Sequence, residues 1–208
     1  MKEYHKIESI FERDPKTKKL QEGKFINPMV EYLKDNEWEF TEKVDGTNIR
    51  VIWDGHKVAF YGRTDKAQIP AGLANRLMEL FGGEKNEELF EQKFGEKEVM
   101  LIGEGYGGKI QAKPGYSETE DFILFDVQVG NCFLSRKNVE DIAEFFNINA
   151  VPIALRGSIQ DGIDYVKTEP KSLIGNENSE GLVGRPKIEL KSNIGRRVIT
   201  KIKINDFK

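Results

Sequence analysis

Lys43-Val44-Asp45-Gly46 sets an amine and a carboxylate on either side of a valine, just ahead of a glycine. A lysine amine is a nucleophile once it has lost its proton. The same four residues also make an ordinary polar turn, with Asp45-Gly46 bending the chain and Lys43 in solvent. The downstream sequence bears on that choice. Gly62-Arg63-Thr64-Asp65, Gly103-Glu104-Gly105-Tyr106-Gly107, Phe125-Asp126-Val127, Glu180-Gly181-Leu182-Val183 and Lys201-Ile202-Lys203 follow in order. Each puts ionisable or aromatic side chains where a strand ends or a glycine opens the backbone. Cys132 is the single cysteine and there are two histidines, so no zinc-type cluster and no internal disulfide are expected. A metal at these residues would be hard and oxygen-bound.

The elements that must hold these residues are legible in part. Asn48–Trp53 and Lys57–Tyr61 flank Asp54-Gly55, a dipeptide suited to a tight hairpin in which both central residues take positive φ. A helix is expected from Pro70 to Phe81, with Leu73, Leu77, Leu80 and Phe81 on one face and Gly82-Gly83 ending it. A second runs from an N-cap at Ser135 to about Asn147, with Val139, Ile142, Ala143 and Phe146 inward. Val99–Ile102 and Phe122–Val127 read as buried strands, Gly130-Asn131 as a hairpin turn, and Gly181–Arg185 and Arg197–Ile204 as further strands. Residues 1 to 40 show no sustained helical period and read as loops, short strands and one helical turn. This order lacks regular β-α-β alternation, so the expected class is α+β with mainly antiparallel sheets and flanking helices.

The 208 residues suffice for one domain with a real core. A hydrophobic fraction of 38% beside a charged fraction of 32% describes a folded chain with a charged surface. No apolar run approaches the ~20 residues of a membrane span and no signal segment opens the chain. The expectation is a cytoplasmic protein, monomeric and without a membrane partner. A net charge of -3 argues against coating nucleic acid by bulk electrostatics and leaves room for a local basic groove.

Taken in order, the stretches resemble the motifs of the covalent nucleotidyltransferase superfamily, which holds ATP-dependent RNA and DNA ligases and RNA capping enzymes. The resemblance runs from residue 43 to residue 203. Lys43-Val44-Asp45-Gly46-Thr47-Asn48, Phe125-Asp126 and the close Lys201, Lys203 pair are most similar to the RNA ligase branch typified by the phage T4 RNA ligase 2 family.

The resemblance implies that Lys43 attacks the α-phosphorus of ATP, expels pyrophosphate and carries AMP as a phosphoramidate. The amine must be unprotonated to attack, and Arg63, Lys201 and Lys203 are the cations expected to crowd it while binding the triphosphate. Asp45 is implied as a close partner of Lys43 and the nucleotide, although some ligases of this branch have histidine there. Glu104 is assigned to the ribose, Phe125 to stacking on adenine, Asn48 to the ribose or a phosphate, and Glu42 to the base edge. Asp126 and Glu180 are the carboxylates expected near Mg2+ or Mn2+.

The implied reaction continues with transfer of AMP to an RNA 5′-phosphate and sealing by an RNA 3′-hydroxyl. Lys109, Lys113, Arg136, Arg185, Lys187, Arg196 and Arg197 are candidates for tracking the RNA backbone. Many relatives append an OB-fold or helical domain, whereas here residues 1–208 are expected to form a single nucleotidyltransferase domain without one. The alternatives are a DNA ligase, a GTP-dependent capping guanylyltransferase, or a non-catalytic nucleotide- or RNA-binding module.

Overall fold

The computed structural model describes residues 3–111 and 115–208, so Lys113 lies outside the described residues. In chain order the elements are β1 (Phe11–Arg13), β2 (Leu20–Phe25), α1 (Pro28–Tyr32), β3 (Trp38–Glu42), β4 (Thr47–Trp53), β5 (Val58–Tyr61), α2 (Ala71–Phe81) and α3 (Glu84–Phe94). There follow β6 (Val99–Tyr106), β7 (Asp121–Val129), β8 (Cys132–Phe133), α4 (Arg136–Phe145), β9 (Asn149–Ala150), β10 (Ile153–Gly157), α5 (Ile159–Lys167), β11 (Gly181–Pro186) and β12 (Thr200–Lys203). The α+β class with mainly antiparallel sheets is what the chain adopts; only the short pairing of β9 with β7 is parallel among the named strand pairs. None of the described helices is long and apolar enough to cross a membrane.

The chain divides into two compact units, and the division falls between His5 and Lys6, between Val44 and Asp45 and between Val151 and Pro152. The Glu104 unit is Asp45–Val151 joined by the N-terminal residues through His5. Its sheet runs β5-β4-β6-β7-β8. Strand alternation sends Ile49, Val51 and Trp53 of β4 and Val99 and Leu101 of β6 to one face. There they meet Leu73, Leu77 and Phe81 of α2, Phe90 of α3, and Val139 and Ile142 of α4 in one apolar core. Each such side chain, fully buried, contributes about 1.5–3 kcal/mol before entropy is counted.

The opposite face of this sheet is polar because the same alternation must put the intervening residues there. Asn48 pairs in register with Glu104, and Arg50 with Ile102. Ile102 in turn faces Asp126, whereas Gly103 faces Leu124, so Phe125 is an extra residue bulged out of β7. The bulge changes the parity of the strand. Phe122 and Leu124 before it and Val127 after it all reach the core, which leaves Asp126 on the face of Asn48, Arg50 and Glu104.

The Lys43 unit is Lys6–Val44 with Pro152–Lys208. Its four strands run β10-β3-β11-β12, each antiparallel to its neighbour. Trp38 and Phe40 of β3, Leu182 and Ile202 pack with Ile159, Ile163 and Val166 of α5. The β1-β2 hairpin adds Phe11, which meets Phe25 edge-on. Strand β3 therefore ends, at Glu42, in the middle of a buried sheet rather than at an edge.

Several sequence expectations need correction. In the hairpin turn only Gly55 takes a positive φ, of 104°. Asp54 instead uses its carboxylate to accept from the His56 and Lys57 amides, an Asx turn that needs no left-handed residue at 54. Helices α3 and α5 and strands β9 and β10 join the expected elements. The expected Arg197–Ile204 strand shrinks to Thr200–Lys203, because a 3-10 turn takes over at Ile204. Among the basic residues expected to track RNA, Arg136, Arg185 and Arg197 are buried. Arg136 donates to Glu140 and the Val151 carbonyl, and Arg197 makes two bonds to Glu189, so both serve the fold. Lys109, Lys187 and Arg196 are exposed.

Candidate functional site

In the Lys43 unit the register of three adjacent strands gathers distant residues. The Lys43 amide donates to the Gly181 carbonyl at 2.9 Å, continuing the pairing of β3 with β11 one residue beyond Glu42. Gly181 lies opposite Lys203, and Val183 opposite Lys201. Lys43, Glu180 and Lys203 thus emerge at one end of neighbouring strands. Lys43 Nζ donates to Glu180 Oε2, and Lys203 Nζ lies 2.6 Å from Glu180 Oε1.

One carboxylate is therefore shared by two ammonium groups. Desolvation works to raise the Glu180 pKa, but the charges of Lys43 and Lys203 and their hydrogen bonds outweigh it and hold the carboxyl below its ordinary value. The pKa of Lys201 is pushed down. Its partial burial is the main cause, followed by the positive charges of Lys203, Lys43 and Lys6, with Glu180 opposing. Lys6, in the N-terminal segment that runs beside Lys201, is a cation that motif spacing does not single out.

Glu42 precedes the nucleophile candidate but turns inward. Its carboxylate accepts from Ser172 Oγ at 2.5 Å and from the Leu173 amide at 2.7 Å. Burial pushes its pKa up, opposed by those two bonds. Ser172 Oγ also accepts from the Ile174 and Gly175 amides, so Glu42 organises the turn that leads toward Glu180.

The Glu104 unit begins at Asp45, whose amide donates to Tyr116 Oη at 3.1 Å. Gly46 packs against the backbone of Gly105 so tightly that a Cβ would collide with the Gly105 carbonyl oxygen and with Glu104 Cγ. This close approach, not a special φ, is what requires glycine there. On the polar sheet face Asn48 Oδ1 is buried and takes no hydrogen bond from the described residues. A buried carbonyl without a donor is costly, so the atom suits a hydroxyl or amino donor from a bound molecule.

Asp126 is fully buried and accepts from Tyr4 Oη at 2.8 Å. The Tyr4 ring also stands 5.6 Å from Phe125 and 6.2 Å from Phe133. The N-terminal residues thus take part in the face that carries Phe125 and Asp126, a role that no local sequence pattern announces. Arg63 follows β5 in an exposed turn, and Arg50, on the polar face, binds that turn.

The candidates fall into two groups. Lys43, Glu180, Lys201, Lys203 and Glu42 share the Lys43 unit; Asp45, Asn48, Arg63, Glu104, Phe125 and Asp126 share the Glu104 unit. Among the described residues no group of three or more His, Cys, Asp or Glu side chains forms a ready-made cation site.

The family model described as RNA ligase matches residues 36–203. No curated protein matches the sequence significantly. Among solved structures, an arginine-to-alanine variant of the Naegleria gruberi RNA ligase with ATP and Mn aligns at TM-score 0.70 and 18% identity, covering 100% of this chain and 57% of that one. A lysine-to-methionine variant with AMP and Mn gives 0.65 at 20%, covering 86% and 53%. The same ligase with PPi gives 0.65 at 20%, again covering 86% and 53%. The present chain therefore spans little more than half the length of those proteins, and at these identities the likeness establishes the fold.

Proposed function

Because the chain belongs to the RNA ligase family, we propose that it is an ATP-dependent RNA ligase in which Lys43 carries AMP covalently. The observation that carries this reading is the Lys43–Glu180–Lys203 arrangement with Lys201 beside it. A lysine at a strand end, held by a carboxylate and surrounded by cations, has the parts that phosphoryl transfer from a nucleotide needs.

In the first step Lys43 Nζ, having released its proton, attacks the α-phosphorus of ATP. The N–P bond forms as the bond to the pyrophosphate oxygen breaks. Glu180 orients the lysine rather than keeping its proton, since two ammonium groups make that carboxylate a weak base. Lys201 and Lys203 meet the negative charge that builds on the phosphoryl oxygens and the departing pyrophosphate. Desolvation costs Lys201 part of its stability as a cation, and an incoming polyanion restores it.

Phe125 stacks on the adenine, Glu104 accepts from the ribose hydroxyls, and Arg63 binds phosphate oxygens. Asn48 Oδ1, buried and unpaired with the described residues, supports a sugar-hydroxyl contact at this strand position. Glu42 acts at the base edge through the Ser172–Leu173 turn it anchors. Asp45 sits beside the nucleophile in sequence and its backbone is fixed by Tyr116.

Asp126 and Glu180 are the carboxylates that would approach Mg2+ or Mn2+. The lack of a ready-made cluster of three acids among the described residues fits a cation that takes its other ligands from phosphate oxygens and water. Such a cation supplies neutralisation of phosphate charge. In the later steps an RNA 5′-phosphate oxygen displaces Lys43 from AMP, and an RNA 3′-hydroxyl then displaces AMP to form the phosphodiester.

The test is incubation with α-labelled ATP, or GTP, and Mg2+, followed by denaturation. Label that survives denaturation and disappears in Lys43→Ala is expected with ATP. No Lys43-dependent label from either nucleotide sinks the enzyme reading; label from GTP alone changes the nucleotide. Nicked RNA, nicked DNA and single strands offered separately identify the acceptor, and efficient joining of DNA without RNA overturns RNA as substrate.

A further inference from the structure

Arg50 is anomalous. It lies in the middle of β4, between β5 and β6, and is 0% exposed. A guanidinium taken out of water is stabilised only by good partners. Its Nε donates to the Gly62 carbonyl at 2.9 Å, and its NH2 lies 2.7 Å from Asp65 Oδ1. The guanidinium carbon sits 5.5 Å from the centre of the Tyr61 ring, the last residue of β5. NH1 is buried and has no hydrogen-bond partner among the described residues.

The two partnered groups bracket a short piece of chain. Gly62 and Asp65 are the first and last residues of Gly62-Arg63-Thr64-Asp65, and both bonds come from one rigid, planar side chain. The turn is closed again by the Ala67 amide donating to the Thr64 carbonyl at 3.1 Å. Its tightness leaves no room at Gly62, where a Cβ would press on the Ala67 methyl group. Arg63 stands at the tip, exposed.

A surface turn that only reversed the chain would not need a fully buried cation beneath it. We propose that Arg50 is the positioning residue for Arg63: it clasps Gly62 and Asp65 from below, fixing the backbone of the turn so that Arg63 is presented to the nucleotide phosphates already ordered. The clasp lowers the entropy lost when Arg63 engages a phosphate. It therefore acts on nucleotide affinity, and Arg50 itself transfers nothing. This inference rests on the assignment of Arg63 to ATP made above.

Replacing Arg50 endangers folding, so the probe is its exposed partner. Asp65 is 67% exposed, and Asp65→Ala removes one arm of the clasp, whereas Asn would leave an amide oxygen able to accept from Arg50. Two readouts are taken on the full chain. In hydrogen exchange, the amides of residues 62–67 are expected to exchange about 5-fold faster or more in Asp65→Ala, with melting temperature unchanged. In formation of label on Lys43, Asp65→Ala is expected to raise the KM for ATP about 3- to 10-fold with little change in kcat. Combining it with Arg63→Ala is expected to add nothing to Arg63→Ala alone, because both act through one side chain.

Unchanged exchange in the turn refutes the clasp, whatever the activity. Faster exchange with KM effects that multiply in the double variant refutes the route through Arg63. A wild-type protein that takes no label removes the proposed enzyme function, while the exchange measurement still decides whether Arg50 holds the turn.

Discussion

Glu180 takes the Lys43 ammonium on one carboxylate oxygen and the Lys203 ammonium on the other. Lys43 follows β3, Glu180 precedes β11 and Lys203 ends β12, and the antiparallel register of these strands makes them meet. Glu180→Gln keeps the shape and removes the charge. Label transfer to Lys43 should fall by about 10²-fold or more, as expected when a group that orients charge in the transition state is lost. Stability should fall by about 1–3 kcal/mol, since charge-assisted bonds to two lysines go with it. Because Glu180 titrates below its ordinary value, its stabilising contribution is present above about pH 4.5 and fades as pH falls through the lower folded value. Urea denaturation against pH should show that acid limb reduced in the variant; normal labelling by Glu180→Gln would contradict the assigned role.

Lys201 illustrates a site that costs the fold something. Its pKa is lowered by burial and by three neighbouring lysines, so its protonated form is disfavoured in the native state. Lys201→Met should therefore raise the melting temperature by roughly 1–4 °C at neutral pH while lowering labelling strongly. The sign follows from linkage: the penalty is full below the folded pKa and disappears as pH approaches the ordinary lysine value of 10.5. Thermal melts at pH 7 and pH 10.5 check this, and a stability gain that grows with pH contradicts it.

Glu42 carries the opposite shift. Burial raises its pKa, so ionisation above the ordinary carboxylate value of 4.5 works against the fold. Glu42→Gln should leave stability unchanged or raise it by up to about 1 kcal/mol at pH 7–8, because Gln can still accept from Leu173 and the Ser172 hydroxyl can rotate. The advantage should vanish below pH 4.5. A loss above about 2 kcal/mol at neutral pH would mean that the two hydrogen bonds require the charged acceptor.

At Gly46 the expected effect is steric. Gly46→Ala drives a methyl group into the Gly105 carbonyl oxygen and the Glu104 side chain, displacing the turn just after the nucleophile and the carboxylate assigned to the ribose. The cost to stability should be about 1–3 kcal/mol, with labelling reduced far more than partial unfolding explains. Gly23→Ala serves as a control, because a Cβ at that position would meet no atom within 4 Å and its effect should be confined to backbone strain at a φ of 83°.

Local signals account for what the sequence discloses. The 70–81 helix is readable from Leu73, Leu77 and Phe81 at helical spacing, and α4 from the Ser135 cap, whose side chain accepts from the Asn138 amide. Helix α3 is hidden because its N-cap is Gly83, with no side-chain bond, and Phe90 is its one fully buried residue. Helix α5 does announce itself through the Ser158–Asp161 capping box, a signal of helix entry that carries no chemistry and so stands apart from the motifs.

The site residues are legible as types and order, since Lys43, Glu180 and the Lys201, Lys203 pair occupy strand ends in sequence. Their union is not local: Lys43 and Glu180 are 137 residues apart, and pairing register decides which side chains meet. Arg50 reads as an ordinary strand residue, because the hairpin foretells β5 beside it but nothing nearby tells that β6 pairs on its other side or that its guanidinium takes Gly62 and Asp65 as partners. Tyr4 escapes notice for the same reason, its partner Asp126 being 122 residues away.

The extra residue at Phe125 gives β7 something like a reading frame. Before it the even-numbered residues Phe122 and Leu124 face the core, and after it the odd-numbered Val127 does. Removing Phe125 itself would join Leu124 to Asp126 opposite Gly103 and Ile102, leaving a regular strand in which Asp126 and Val127 keep the faces they already have. Phe125 is thus a supernumerary side chain, set apart from both rows of the pleat, and its place in the strand is owed to the bulge alone.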